Sequence, residues 1–261
     1  MGPLKKLLKK ALGLDPMANV KPLKNLVYIG SKYHGYTIPP NFIRRDSICY
    51  CIGAGEDISF DTELKVLYDA KIFIFDPMPE GKNYFVKLKE YTRNGKVMTI
   101  EGENSFTYRI NAEQLDDMVY VEKGVWDQAT TLRFYAPKLE DYISHSAYLF
   151  KSSDKYIDAP VDRLSNFMKF FGHRSVDLVK MEIEGAEYTV LDTIVKDQLD
   201  VKIIVVEFDE VFHSNGLKFL YRIKKTSAEL EKAGWILVHS TPMFKRTFIR
   251  QDLYQQLKAA E

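Results

Sequence analysis

Two stretches, CIGAGEDISFD (residues 51–61) and KIFIFDP (residues 71–77), decide how this chain folds. A β-branched strand over 47–52 runs into Gly53-Ala54-Gly55, and a helical pattern follows. A second apolar strand over 72–75 ends on Asp76, 21 residues after Gly55. That layout is a nucleoside-binding βαβ unit, in which glycines let the backbone pass close under a ligand and the later carboxylate reaches the ribose hydroxyls. A dinucleotide fingerprint would need a third glycine where this chain has Ile58, and a diphosphate needs a helix N-terminus free of anions. Glu56 and Asp57 occupy that turn. They would repel a diphosphate and suit a cofactor carrying an ammonium and a sulfonium, S-adenosylmethionine (SAM). The plain alternative is a tight strand-to-helix turn with no ligand.

Outward from that unit, the bulk properties mainly exclude. The chain has 261 residues, enough for one large α/β domain with an N-terminal extension. Lys plus Arg number 37 against 36 for Asp plus Glu, so no global field steers the protein to nucleic acid, and no nucleic-acid partner is expected. Cys49 and Cys51 lie two apart on one strand, facing the same way, with no C-x-x-C set for zinc and poor geometry for a disulfide. They read as reduced core thiols of a cytoplasmic protein. No stretch is long and apolar enough to span a bilayer. Residues 1–17 form a separate unit. Leu4, Leu7, Leu8, Ala11 and Leu12 share one helical face, and Lys5, Lys6, Lys9 and Lys10 the other. Lysines interrupt any secretory h-region, so residues 4–12 read as an amphipathic helix either peripheral to an anionic membrane or docked on the domain.

Beyond Asp76 the chain alternates. Helices are expected over 81–91, 161–171, 186–195 and 217–233, and strands over 118–122, 131–135, 177–183, 202–208, 235–239 and 246–250. A short hairpin is expected at 96–110, turning at 102–104. The unbroken apolar strands imply a mostly parallel sheet covered on both faces, with the last two strands paired antiparallel at one edge. VDLVKMEIEGAEYTVL (176–191) delivers Glu182, Glu184 and Gly185 to a strand's carboxyl end, where open α/β sheets bind ligands. Glu182 and Glu184 alternate with Met181 and Ile183 and so share one side of that strand. Glu187 is expected to face solvent in the first turn of the next helix, where the dipole favours it.

GAGEDISFD, IFIFDPMP, EKGVWDQATTLRFYAP, the tripeptide SHS, KMEIEGAEYTVL, IVVEF and the terminal TFIR, in this order, resemble the FkbM family of SAM-dependent methyltransferases. The resemblance implies a class I (Rossmann-like) methyltransferase fold over residues 47–261. That fold is a seven-stranded, mostly parallel sheet with an antiparallel C-terminal hairpin and helices on both faces. It implies O-methylation of a sugar, glycan or secondary-metabolite hydroxyl. Carried over, Gly53 and Gly55 line the methionine part of SAM, and Glu56 or Asp57 meets its amino group. Asp76, followed by Pro77, takes the ribose. Gly124, Val125 and Trp126 face the adenine, with Trp126 either stacked on the purine or simply core. Glu182 sits under the methyl donor, although the family more often has Asp at that position.

Methyl transfer to a hydroxyl needs alignment and a base. His145, between Ser144 and Ser146, is the first candidate because imidazole titrates near neutrality, and Glu184 is the second. A magnesium-like ion held by Glu182, Glu184 and His145 stays open, but no Asp/Asn cluster demands one. The aromatic extension 18–46 is expected to cover the active site. Within it Tyr33, His34 and Tyr36 supply flat faces and hydrogen-bonding tips for a sugar acceptor. Two other readings are a nicotinamide-dependent dehydrogenase, disfavoured by the acidic turn, and a catalytically silent module that keeps the fold.

Overall fold

The computed structural model describes residues 17–137, 146–147, 152–210 and 218–261. The amphipathic segment 4–12 and the candidate base His145 lie outside the described residues.

The chain opens with an antiparallel hairpin, β1 (Val27–Ile29) and β2 (Tyr36–Ile38). The first half of the domain then runs β3 (Ile48–Ile52), α1 (Ser59–Tyr68), β4 (Lys71–Phe75), α2 (Pro79–Arg93), the small hairpin β5 (Thr99–Ile100) and β6 (Phe106–Thr107), α3 (Ala112–Asp116) and β7 (Val119–Val121). After β8 (Gly124–Trp126), β9 (Thr130–Pro137) and β10 (Ser152–Arg163) come α4 (Leu164–Phe171), β11 (Val176–Met181), α5 (Glu187–Lys196) and β12 (Val201–Glu207). The chain ends with α6 (Lys218–Lys232), β13 (Trp235–Ser240), β14 (Lys245–Arg250) and α7 (Gln251–Ala259).

Seven strands form the central sheet in the order β13-β14-β12-β11-β3-β4-β7. β3, β4, β7, β11 and β12 are parallel, while β14 runs antiparallel to both neighbours. The last two strands do pair antiparallel, but β14 inserts beside β12 and leaves β13 at the edge. Period-2 alternation divides each central strand between two cores. Tyr50 and Ile52 of β3, with Ile204 and Val206 of β12, pack on the face carrying α4, α5 and α6. Cys49, Cys51, Ile203 and Val205 pack on the other, with α1, α2 and α7. Both cysteines are buried free thiols. Buried on both sides, these strands need the unbroken apolar runs that the sequence shows.

The helix expected over 161–171 begins only at Leu164. Val161 pairs with Gly124 of β8 on one side and Thr130 of β9 on the other, so the ladder occupies its backbone groups and the helix starts where pairing stops. Gly124–Trp126 accordingly belong to this second, three-stranded sheet rather than to the end of β7.

The β1–β2 hairpin is part of the core. Ile29, Tyr36 and Ile38 are buried in the same cluster as Cys51 and Leu64, and the Thr247 hydroxyl of β14 donates to the Thr37 carbonyl at 2.6 Å. Ile38→Ala should therefore cost about 2–5 kcal/mol, the usual range for a fully buried aliphatic truncation. Urea unfolding checks this, and an unchanged midpoint would mean that the hairpin is a detachable cover.

Candidate functional site

Strand register builds the site. Ile52 pairs with Phe75 and with Met181, and Met181 pairs with Val206. The next residue on each strand is therefore Asp76, Gly53, Glu182 and Glu207, set side by side along the carboxyl edge. Glu207 in turn pairs with Lys245 of the antiparallel strand, and their side chains meet at 2.8 Å.

Gly53 sits at φ +87°, and an added Cβ would lie 2.0 Å from the Glu182 carbonyl oxygen, so only glycine fits. Gly55, at φ +51°, has open space where its side chain would be. Asp76 holds this turn: Oδ2 accepts from the amides of Ala54 (2.7 Å) and Gly55 (3.1 Å), and Oδ1 from that of Met78 (2.7 Å). From beneath, the buried Lys180 ammonium donates to the Gly53 carbonyl and lies 3.8 Å from Glu182. Burial works against that charge, but Asp61 and Glu182 outweigh it and keep Lys180 protonated well above the usual lysine range.

A cavity of about 440 Å³ opens over this edge, within the roughly 300–1,000 Å³ typical of small-molecule sites. Gly53, Gly55, Glu56, Asp57, Asp76, Pro77, Gly124, Val125, Trp126, Glu182 and Glu184 all line it, as does His34. The two acids of the glycine turn divide their work. Asp57 is committed to the fold, accepting from the Ser31 hydroxyl (2.6 Å), the Asn104 amide group (3.0 Å) and the Ser59 N–H at the start of α1 (2.9 Å). Glu56 stays exposed on the cavity wall and is the better partner for a ligand ammonium. The residues fit SAM: a side-chain-free glycine cradle, a free carboxylate beside it, Asp76 one strand over, and Trp126 with Gly124 closing the far wall.

Several expectations are corrected. The strand ends at Met181, and Glu184 has φ +54°, so Glu182 and Glu184 do not share a strand face, although both reach the cavity. The Glu184 carbonyl accepts from the Ser146 hydroxyl at 2.8 Å. Tyr36 is not a sugar platform. Its ring is buried, 2% exposed, and its hydroxyl donates to Glu182 Oε2 at 3.0 Å. Tyr33 is exposed and bonds Glu103 at 3.0 Å, away from the cavity lining. Of the three, His34 alone lines the cavity, with Nδ1 2.6 Å from Glu182 Oε1.

Glu187 does not face solvent. It is fully buried, and its Oε1 accepts from the amides of Ile183 and Gly185, both at 3.1 Å, closing the turn that carries Glu184. Glu187 is the first residue of α5, after the N-cap Ala186, and nothing local in the sequence shows that the turn it closes is covered. The convergence of Lys180, Glu207, Asp209 and Lys245 leaves no local signal in the sequence, because it depends on strand order. Among the described residues no group of three or more His, Cys, Asp or Glu side chains is arranged to hold a metal ion.

Burial sets the protonation of this edge. It lifts Glu187 from 4.5 to about 8 and Glu207 to about 7, where Glu182 adds repulsion, and it raises Asp209 as well. A carboxyl that stays protonated in the native state but ionises on unfolding costs stability as pH rises through the gap between the two values. Stability should therefore fall between pH 4.5 and about 8, and Glu187→Gln should flatten that fall. Urea midpoints taken across the window decide it, and a mutant slope equal to wild type would remove Glu187 as a cause. Asp76→Ala should both weaken SAM binding at least about tenfold and lower stability by about 1–3 kcal/mol, since it strands buried amides. Calorimetry and thermal melts read the two effects separately, and loss of affinity without loss of stability would mean that Asp76 serves only the ribose.

The sequence matches the model of the methyltransferase FkbM domain over residues 47–232. Similar solved structures include the fibrillarin pre-rRNA processing protein of Methanococcus jannaschii, 10% identical, with 80% of this chain and 69% of that one covered at a TM-score of 0.41. Another is the precorrin-6Y C5,15-methyltransferase of Geobacter metallireducens, 14% identical, covering 80% and 83% at a TM-score of 0.39. No curated protein matches the chain. With most of its length inside the domain match, the chain belongs to the FkbM family of methyltransferases, with SAM as methyl donor.

Proposed function

We propose that the protein is an O-methyltransferase acting on a hydroxyl of a neutral sugar or glycan. The observation that supports this is the character of the cavity wall. Glu56, Asp57, Asp76, Glu80, Glu182 and Glu184 line it, and among the described lining residues the one permanent cation, Lys180, is spent on the Gly53 carbonyl. Such a wall repels phosphorylated or carboxylated acceptors and offers many acceptors to hydroxyl protons. SAM, when bound, supplies a methyl group on a sulfonium, an already activated leaving group. The protein's part is to align the acceptor oxygen and take its proton.

Gly53 and Gly55 would admit the methionine portion, Glu56 would meet its ammonium, and Asp76 would meet the ribose while holding the turn. The acceptor then approaches from the hairpin side, where His34 and Asn104 border the cavity. A secondary-metabolite hydroxyl would satisfy the same wall.

The test is label transfer from radiolabelled SAM to a panel of methyl hexosides, hexose phosphates and aliphatic amines. Label on the neutral hexosides, with phosphates much poorer, is the expected result. Transfer confined to amines, or SAM binding with no transfer to any hydroxyl, would overturn the reading.

A further inference from the structure

We propose that His34 is the catalytic base, its Nε2 receiving the proton of the acceptor hydroxyl while Glu182 orients the ring through Nδ1. This rests on the O-methylation reading above and names a residue in a role that the motifs leave to His145 or Glu184.

The hairpin turn that carries His34 is built tightly. An added Cβ on Gly30 would lie 2.7 Å from the Gly35 Cα, and one on Gly35 would lie 2.4 Å from the Ile29 carbonyl, so the two arms can close only with glycine at both positions. Ser31 ties the turn to the cofactor loop. Its hydroxyl donates to Asp57 and accepts from the His34 N–H at 3.2 Å. Lys245 holds the neighbouring Tyr33 carbonyl. The backbone of His34 is thus anchored to the glycine turn on one side and to β14 on the other.

The ring is oriented as firmly. Nδ1 lies 2.6 Å from Glu182 Oε1, and the other oxygen of that carboxylate accepts from Tyr36. Burial alone would raise the Glu182 carboxyl, but His34, Lys180 and Lys245 outweigh it and keep it ionised well below the usual range. An ionised partner only accepts, so the neutral ring carries its proton on Nδ1 and its lone pair on Nε2. His34 lines the cavity, and Nε2 has no hydrogen-bond partner among the described residues. The methyl donor's end of the cavity is marked by Gly53, whose missing side chain would strike Glu182, the residue that holds the ring.

The charges facing His34 are Glu182, Asp57 and Lys245, with Glu207 just beyond. Burial opposes an imidazolium here, but the carboxylates prevail and its pKa is raised above the ordinary 6.5. That makes it a stronger base than free imidazole and stabilises the charge that forms. In the transfer the acceptor oxygen bonds to the methyl carbon, and the C–S bond breaks with its electron pair going to sulfur. The hydroxyl proton passes to Nε2 and later leaves to solvent.

Two measurements test this, one independent of turnover. In the free protein, ¹⁵N-resolved NMR should show neutral His34 as the Nδ1–H tautomer, titrating above 6.5. Glu182→Gln should lower that midpoint. With a methyl hexoside as acceptor, His34→Gln should reduce kcat by about 10²–10⁴, leave S-adenosylhomocysteine affinity unchanged and abolish the acid limb of the kcat–pH profile. A neutral ring protonated on Nε2 overturns the proposal. So does an acid limb that survives in His34→Gln and vanishes in His145→Gln. If wild type methylates no hydroxyl, the O-methylation reading fails instead, and the tautomer result alone judges the ring's geometry.

Discussion

The parallel register of four central strands is the constraint on which the site depends. Because Phe75, Ile52, Met181 and Val206 align, the next residues of β4, β3, β11 and β12 emerge as a row: Asp76, Gly53, Glu182, Glu207. A slip of one residue on any strand would turn its member to the opposite face. The two separate hydrophobic cores forbid that slip. Tyr50 and Cys51 cannot exchange faces without burying a large ring where a thiol fits. The position of chemistry at the edge is therefore enforced by packing in the middle of the sheet.

Charge is balanced along the same row. Lys180 lies buried beneath the glycine turn, donates a hydrogen bond to the Gly53 carbonyl and lends its field to Glu182 and Asp61. A buried cation is tolerable only with such partners. The antiparallel insertion of β14 brings Lys245 opposite Glu207, and the Lys245 ammonium also lies over the Tyr36 ring at 4.5 Å. The reversed strand thus provides the positive charge that lets several carboxylates share one edge.

The N-terminal hairpin closes the arrangement. It reads in sequence as an aromatic cover, and two of its three candidate residues have other duties. Tyr36 became core because alternation along β2 turns it inward with Ile38, and Tyr33 stands exposed beside Glu103. His34 alone reaches the cavity. Nothing in SKYHGY distinguishes these outcomes, since its path is set by contacts with residues far along the chain: Ser31 with Asp57, the Tyr33 carbonyl with Lys245, and His34 and Tyr36 with Glu182.

Local signals were legible where local physics decides. Gly53, Gly55 and Asp76 mark a strand-to-helix turn and its supporting carboxylate, unbroken apolar runs mark strands buried on both faces, and ordered motifs over most of the chain mark the family. The helix start at Leu164 rather than Val161, the burial of Glu187 and the break between Glu182 and Glu184 were not legible. Each depends on which distant backbone supplies a hydrogen bond or excludes water. The sequence by itself determined the fold, the cofactor and the acids of its turn. Only the tertiary structure decided which of those acids stay free, which are buried and protonated, and which imidazole stands beside Glu182, because register and burial are properties of packed strands.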